Sequence, residues 1–365
     1  MKVDRFGARH GRIVATGELW RPVVSAVVVV LLTAVSAVGA VVVYNAQAIS
    51  QFNASGLVNR GPDSPVRPPA DAHGNRAVNI LLLGSDSRIG EDNQRLGGKA
   101  EGMRADTTIV VHVSADRRRV ELVSIPRDSL VDIPACRTTN GGLIPSSPNT
   151  MINAAFARGW AAGGDIASAA ACAWNTVEAT TGLYIDHVAL VDFSGFEQMV
   201  NAVGGVEIYL DTAMKDTSKS TQLDLQPGPN RLNGRQALDF VRARHVAGTN
   251  GSDITRITHQ HLLLQALADK VMDAGLSDMG KMTKLVSAVS NSVTVDQDLT
   301  VTTTTTLAYS LRSVSRENIV FATIPWRPDP ANPNRVRWAD EADAVWAALA
   351  ADAPITGVLP AENRS

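Results

Sequence analysis

Residues 78–88 read VNILLLGSDSR, and this stretch opens the run of predicted strands that decides the fold. Residues 78–84 form a short, continuous apolar run ending in glycine, which is typical of a buried strand. Two further strands are predicted at residues 107–113 and 120–125, on either side of the polar turn SADRRR. Their spacing indicates a hairpin.

Predicted helices and strands alternate through the rest of the chain. The periodicity of apolar residues indicates helices at residues 153–158, 167–180, 193–203, 235–242 and 255–272. Further strands are predicted at residues 187–191, 206–210 and 319–324. This alternation is typical of the α/β class, in which helices pack on a central sheet. Because some connections are short, we expect a mixed sheet.

Charged residues collect where the first three strands begin or end. If the second and third strands form a hairpin and the first runs parallel to the third, the charged residues of all three strands meet at one edge of the sheet. Sites in open α/β sheets usually lie at this edge. These residues are Asp86 and Arg88, Arg104 and Asp106, and Arg127 and Asp128.

A second group of charged residues follows near residues 239–260. Arg242 and Arg244 share a face if that segment is extended. Asp253, Arg256 and Gln260 share one face of a predicted helix. Any one Arg–Asp pair is adequately explained as a solvated salt bridge. The whole set instead favours a metal-diphosphate site, because carboxylates bind hard divalent cations and arginines bind phosphate oxygens bidentately.

The N-terminal sequence predicts the compartment. Residues 23–44 carry no charge and are long enough to span a hydrocarbon core of about 30 Å. Basic residues precede this segment, so the positive-inside rule predicts a cytoplasmic tail at residues 1–22 and an external remainder. The alternative is a cleaved signal peptide, for which residues 46–48 offer an Ala-x-Ala triplet.

We expect the rest of the chain to form a single domain. Residues 45–75 contain the proline-rich sequence GPDSPVRPP and are predicted to be an external tether. Residues 76–350 are predicted to form the catalytic domain, and residues 351–365 a C-terminal tail. A count of 34 Lys and Arg against 36 Asp and Glu gives a net charge of −2. This balance argues against a dedicated nucleic-acid-binding protein.

The motifs resemble those of the LytR-CpsA-Psr family of bacterial cell-envelope proteins. NILLLGSDSR, RADTTIVVHV, VELVSIPRD, INAAF, VDFSGFEQMVNAVGGVEI, LNGRQALDFVRARH and DITRITHQ occur in the family's order. The resemblance implies a layered α/β/α domain that holds a lipid tail in an apolar tunnel. It also implies a phosphotransferase that moves a glycopolymer from a polyprenyl-pyrophosphate carrier onto peptidoglycan, releasing polyprenyl phosphate.

The resemblance also implies a role for each motif residue. Asp86 and Asp106 match the carboxylates that bind Mg²⁺ or Mn²⁺. Arg104, Arg127 and Asp128 are the candidate catalytic residues, and Asp253 is a further motif position. The residues expected around the pyrophosphate are Arg88, Arg104, Arg127, Arg242, Arg244, Arg256 and Gln260. His259 stands where the family often has arginine, and a surface or packing role is expected for it.

Two other functions use the same sequence features. A polyprenyl-pyrophosphate pyrophosphatase would need the same residues, with water replacing the sugar acceptor. A non-enzymatic envelope or transcription regulator would need a cytoplasmic domain to bind DNA, yet only the short tail is predicted to lie inside. The abundance of Ala and Val hints at an actinobacterium and therefore at arabinogalactan as the polymer.

The chain has two cysteines, Cys136 and Cys172. Two cysteines are too few for a zinc ribbon or a disulfide-dense scaffold. Because both lie in the predicted external region, where oxidising conditions permit disulfides, we favour a bridge between them. The alternative is a pair of buried thiols, since sequence does not supply the Cα separation that a bridge requires.

Overall fold

A mixed sheet of seven strands lies at the centre of the protein. The computed structural model describes residues 50–60, 64–87, 91–97, 103–216, 221, 223–243, 253–273, 283, 286, 287, 289, 290, 292–360 and 363. The strands of the sheet are β1 Ser50–Phe52, β2 Val78–Ser85, β3 Ala105–Val113, β4 Val120–Ile125, β5 His187–Val191, β6 Thr294–Asp296 and β7 Ile319–Thr323.

The strand order across the sheet is β1-β6-β5-β2-β3-β4-β7. β3 pairs antiparallel with both β2 and β4, so the predicted hairpin is confirmed and β2 runs parallel to β4. β5 lies parallel to β2 on its other side. The predicted α/β class with a central mixed sheet is therefore confirmed. The ends of β2, β4 and β5 meet the start of β3 at one edge, hereafter the carboxyl edge.

Helices pack on both faces of the sheet. These helices are α1 Glu91–Gly97, α2 Asn153–Gly163, α3 Ile166–Thr181, α4 Phe193–Ala202, α5 Gly234–Arg242, α6 Asp253–Asp273, α7 Val301–Ser310 and α8 Glu341–Ala350. Leu81 and Leu83 of β2 are fully buried in the core that α2 and α3 share with the sheet. Ile80 and Leu82 alternate with them and pack on the other face, on which His261 of α6 contacts Phe321 of β7.

Short antiparallel strand pairs lie outside the central sheet. The strand predicted at residues 206–210 forms, but its partner is a hairpin strand and not the central sheet. Two pairs follow the charged motif that ends in Arg127 and Asp128. The pairs are Leu130–Ile133 with Ser147–Met151, Cys136–Arg137 with Leu143–Ile144, Val206–Leu210 with Gly228–Leu232, Met214–Lys215 with Asp224–Leu225, and Trp326–Asp329 with Asn332–Trp338.

The folded domain begins before residue 76, where the sequence predicted its start. β1 pairs with β6 and buries Phe52, so the beginning of the predicted tether at residues 45–75 belongs to the sheet. The backbone amide of Asn59 donates to the side chain of Asn175 over 2.6 Å. Apolar burial and a hydrogen bond to α3 therefore hold residues 50–59, the first part of the predicted tether, on the domain.

Part of the predicted tail at residues 351–365 also packs on the domain. Ile355 is fully buried, and its amide donates to buried Glu121 over 2.9 Å. The Asp352 carboxylate accepts from the Arg119 guanidinium over 2.9 Å and lies 3.0 Å from a ring nitrogen of His112. This polar network fixes the chain end at the edge of the sheet opposite the carboxyl edge.

The predicted membrane anchor at residues 23–44 and the cytoplasmic tail at residues 1–22 lie outside the described residues. Within the described ranges, no helix combines the length and the apolar character needed to cross a bilayer.

A disulfide joins Cys136 to Cys172, whose Cα atoms are 5.3 Å apart. Cys136 lies in a short hairpin after the charged motif that ends in Asp128, and Cys172 is a fully buried residue of α3. The bond therefore ties the chain that leaves the carboxyl edge to a helix of the core. Its sequence separation of 36 residues gives the unfolded chain a sizeable constrained loop.

We expect the double variant Cys136→Ala, Cys172→Ala to lose about 3–4 kcal/mol of unfolding free energy, because its unfolded chain is no longer constrained. Denaturant unfolding of parent and variant measures the difference. Thiol labelling of the denatured, unreduced parent should find no reactive cysteine, and reduction should reveal both. Two reactive thiols before reduction would refute the bridge.

Candidate active site

A cavity of about 750 Å³ opens at the carboxyl edge of the sheet. The strand register places Ser85 opposite Ala105 and Thr108 opposite Ile125, so the three charged motifs reach the same place. Residues of α5 and α6 complete the cavity. The predicted site residues among its lining are Asp86, Arg104, Asp106, Arg127, Asp128, Arg242, Arg256 and Gln260.

Arg127 lies between two carboxylates. Its Nη1 donates to Asp106 Oδ1 over 2.9 Å, and its Nε is 3.6 Å from Asp128 Oδ2. Arg335, on the hairpin strand Asn332–Trp338, places Nη1 3.6 Å from the other oxygen of Asp128. These contacts hold the Arg127 guanidinium and the Asp128 carboxylate in fixed orientations on the cavity wall. Such pre-orientation lowers the cost of positioning them for catalysis.

The loops that leave β2 and enter β3 are bonded to each other. The amide of Arg104 donates to Asp86 Oδ1 over 2.6 Å, and the amide of Asp86 donates to the carbonyl of Arg104 over 3.0 Å. Gly84 allows this approach, because a Cβ atom there would lie 2.8 Å from Cβ of Thr107. The close contact brings the Asp86 and Asp106 motifs side by side.

Helix α6 supplies two polar groups, four residues apart and therefore on one helix face. Arg256 is only 6% exposed, and its Nη2 donates to the carbonyl oxygen of Asp106 over 3.4 Å. The side-chain amide of Gln260 donates to Thr107 Oγ1 over 3.0 Å. The helix thus presents a buried cation to the same strand end that carries Asp106.

Arg242 extends the cationic part of the cavity from the end of α5. Its guanidinium lies 4.4 Å from the centroid of the Phe193 ring, and its Nη1 donates to the carbonyl of Leu96 over 2.8 Å. A cation held above an aromatic face keeps its charge while its stem packs against apolar groups.

The other part of the cavity is apolar. Its side chains come mainly from α4, α5 and α6, which pack beside one another along one side of the sheet. These residues are Leu82, Ile109, Phe196, Met199, Leu238, Val241, Leu263 and Leu264. One continuous cavity therefore offers arginines and carboxylates at one end and an apolar surface at the other. This combination suits a phosphate-bearing molecule with a hydrocarbon chain.

His259 does not line the cavity. Its ring packs on Phe240, with ring centroids 5.0 Å apart, and burial lowers its pKa. The packing role predicted for this histidine is confirmed. His261 is 2% exposed and bonds through Nε2 with Ser124 Oγ over 2.8 Å. Burial lowers the pKa of His261 to about 4.

The low pKa of His261 should make stability depend on pH. The unfolded chain binds a proton near pH 6.5 that the folded chain does not bind until about pH 4, so stability present above pH 6.5 is lost as the pH falls. Between pH 7 and pH 4.5, both proteins should lose unfolding free energy. We expect the loss in His261→Gln to be smaller than the loss in the parent by roughly 2–3 kcal/mol. Urea titrations at both pH values measure this, and equal losses would contradict it.

Three predicted site residues are not placed in the cavity. Arg88 and Arg244 lie outside the described residues. Asp253 begins α6, but its side chain is outside the described ones. In contrast, the cavity includes Arg335, Asn153 and Asp192, which sequence reasoning did not select. Asn153 and Asp192 lie in the quoted motifs INAAF and VDFSGFEQMVNAVGGVEI, and Asp192, directly after a predicted strand, also caps the following helix. Arg335 lies in none of the quoted motifs.

Comparison with known proteins gives a consistent family. The model of the LytR_cpsA_psr family matches residues 42–350. The cell wall biosynthesis protein LcpA of Corynebacterium glutamicum is 29% identical over 330 residues, which cover 85% of this chain and 61% of LcpA. The polyisoprenyl-teichoic acid–peptidoglycan teichoic acid transferase TagU of Enterococcus faecalis is 30% identical over 217 residues, which cover 60% of each chain. The chain thus spans about three fifths of these curated relatives.

The fold is also similar to solved structures. The crystal structure of TagV from B. subtilis superposes with a TM-score of 0.57 and 25% sequence identity, covering 76% of this chain and 97% of that one.

Proposed function

This chain belongs to the LytR-CpsA-Psr family, and we propose that it transfers a glycopolymer from a polyprenyl-pyrophosphate carrier onto peptidoglycan. TagU is named as an enzyme that transfers teichoic acid from polyisoprenyl-teichoic acid to peptidoglycan. The observation that carries the proposal is the single cavity in which arginines and carboxylates adjoin an apolar surface. A pyrophosphate with a polyprenyl tail matches both ends of it.

The proposed reaction is a phosphotransfer. The oxygen of a muramic acid hydroxyl forms a bond to the phosphorus that carries the glycan. The bond between that phosphorus and the bridging oxygen breaks, and polyprenyl phosphate leaves with the bonding electrons. The hydroxyl proton passes to a base or to solvent. Such reactions need little covalent help from the protein, so positioning and charge stabilisation carry most of the catalysis.

The arginines of the cavity stabilise the charge that grows on the bridging oxygen. Arg127 is held by Asp106 and is the first candidate, because its fixed guanidinium can bind two phosphate oxygens. Buried Arg256 and ring-stacked Arg242 add positive charge from the helix side. Asp128, held near Arg127 and Arg335, is our candidate for orienting the acceptor hydroxyl.

A magnesium ion suits the donor groups of this cavity. Asp86 and Asp106 offer carboxylate oxygens, and Mg²⁺ is commonly held by one or two carboxylates together with substrate phosphates and water. These carboxylates are hard oxygen ligands, the type that Mg²⁺ prefers. When bound, the ion would neutralise phosphate charge at the strand ends. We propose Asp86 and Asp106 as its protein ligands.

Asp86→Asn should raise the magnesium concentration needed for half-maximal activity about 10-fold or more, because a neutral amide is a weaker ligand than a carboxylate. Titration of activity with magnesium measures the shift. Asp211→Asn is the matched control, since Asp211 is exposed and outside the cavity lining. If Asp86→Asn titrates like the parent, Asp86 is not a ligand.

We propose that the domain works at the outer face of the cell membrane, tethered by the anchor predicted at residues 23–44. Arabinogalactan is the polymer that we propose to test first. The experiment supplies the full chain with a lipid-linked donor labelled in its glycan, together with insoluble peptidoglycan. Label that sediments with peptidoglycan supports the transferase. Soluble label alone would support the pyrophosphatase.

A further inference from the structure

A second concave surface lies next to the active-site cavity. This groove has a volume of about 800 Å³, and its lining includes Leu130, Pro134, Pro148, Arg327, Arg337 and Trp338. Asp132, Ala179 and Arg327 are exposed side chains of its rim. The groove is therefore open to solvent, and an extended polymer can enter and leave it.

The motif that ends in Arg127 and Asp128 and the hairpin strand Asn332–Trp338 connect the groove to the active-site cavity. The amide of Val336 donates to the carbonyl of Asp128 over 3.2 Å, and Val336 bridges to Ser129 in parallel register. Arg335, two residues before Arg337, reaches Asp128. Alternate residues of a strand share a face and lie about 7 Å apart, so Arg335 of the active-site cavity and Arg337 of the groove are neighbours on one face of this strand.

The chemistry of the groove differs from that of the apolar end of the cavity. Arg327 and Arg337 are 58% and 41% exposed; Arg327 Nη1 lies 3.6 Å from the carboxylate of Asp340, and Arg337 pairs with Asp329. Their remaining guanidinium N–H groups are the ones that a ligand carboxylate can bind. Trp338 adds an apolar ring to the lining; this ring packs on Trp346, with ring centroids 5.5 Å apart, and its Nε1 donates to Ser129 Oγ over 3.2 Å. An indole face and arginines suit a sugar polymer whose peptide branches end in carboxylates.

The walls of the groove are pre-formed. Arg337 donates to Asp329 Oδ1 over 2.5 Å and to Asn149 Oδ1 over 2.7 Å, and the amide of Asn149 donates to Asp132 over 2.8 Å. Behind the groove, the disulfide joins the segment that follows residues 130–134 to α3, which carries Ala179 of the opposite wall. A polymer therefore binds without first ordering these elements.

We propose that this groove binds the peptidoglycan acceptor, with Arg327 and Arg337 contacting stem-peptide carboxylates and Trp338 contacting the glycan. The inference rests on the proposed function and adds the acceptor's path. The groove suits the acceptor better than the donor, because the apolar surface for the carrier comes mainly from α4, α5 and α6. Within the described chain, none of these helices lines the groove. In-line displacement requires acceptor and leaving group to lie on opposite sides of the phosphorus.

Two variants of the full chain test the groove. Arg327→Ala removes an exposed cation, and Ala179→Trp fills the rim of the groove from α3. We expect each to raise the KM for peptidoglycan oligomers about tenfold, the effect of losing one good contact. Cleavage of the lipid-linked donor by water, measured without acceptor, should stay at the parent rate. The matched controls are Arg231→Ala and Ala161→Trp, which change exposed residues outside the groove lining.

Cosedimentation with insoluble peptidoglycan tests the groove without relying on transfer. The proposal is supported if both groove variants cosediment more weakly than the parent while both control variants cosediment like it. This holds even if the parent catalyses no transfer, because the absence of transfer would contradict only the proposed function. Parent-like cosedimentation and an unchanged acceptor KM would overturn the groove assignment. A raised KM for the donor alone would also overturn it, because the groove would then hold the donor glycan.

Discussion

We expect Arg127→Ala to lower the rate of transfer by about 30- to 1000-fold, because a charge-assisted contact made at the transition state is worth on the order of 2–4 kcal/mol. The guanidinium of Arg127 is held by Asp106 over 2.9 Å just after the end of β4. In the proposed reaction this places it where phosphate charge develops. Single-turnover rates with saturating donor measure the effect on the chemical step alone.

Arg127→Lys should also transfer poorly, because an ammonium group cannot bind two phosphate oxygens as the planar guanidinium does. Arg231→Ala, on an exposed hairpin strand, is the matched control and should react like the parent. Unfolding midpoints show whether Arg127→Ala has kept its fold. Near-normal transfer by a folded Arg127→Ala protein would remove Arg127 from the catalytic machinery.

Arg256→Met should lower kcat/KM for the lipid-linked donor by about 100-fold, because it removes a buried cation beside the strand end that carries Asp106. Methionine keeps much of the side-chain volume, so the change is chiefly one of charge. Initial rates over a range of donor concentrations give the ratio, and the KM for the acceptor should remain unchanged.

Arg312→Met provides the matched control for Arg256, because it makes the same replacement at an exposed residue after α7. Arg256→Lys should recover part of the donor affinity, since it restores the positive charge but not the planar guanidinium that binds two oxygens. Parent-like kinetics for the donor in Arg256→Met would show that this arginine supports packing and does not contact phosphate.

The central sheet and most of the charged cavity could be predicted because they depend on local patterns. Apolar runs located β2, β3 and β4, and the polar turn between the last two indicated their hairpin. That pairing brings Asp106 and Arg127 to one edge, and Asp86 joins them because β2 runs parallel to β4. The i,i+4 spacing of Arg256 and Gln260 likewise required a common face of α6.

Other features depend on contacts between distant parts of the chain and carry no local signal. Arg335 reaches Asp128 from a hairpin more than 200 residues away in sequence. β1 has only three residues, and its pairing with β6 follows from burial of Phe52 and not from any periodic pattern. The groove is likewise formed by five separate stretches of chain, so no single stretch of sequence predicts it.

The fate of the two donor phosphates tests phosphotransfer most directly. A donor is prepared with different isotopic labels in the phosphate bonded to the glycan and in the phosphate bonded to the polyprenyl chain. After reaction with peptidoglycan, the glycan-side phosphate should be covalently attached to peptidoglycan and the other should remain as polyprenyl phosphate. Recovery of both labels on the lipid, or of the glycan-side label only in soluble glycan phosphate, would contradict the account.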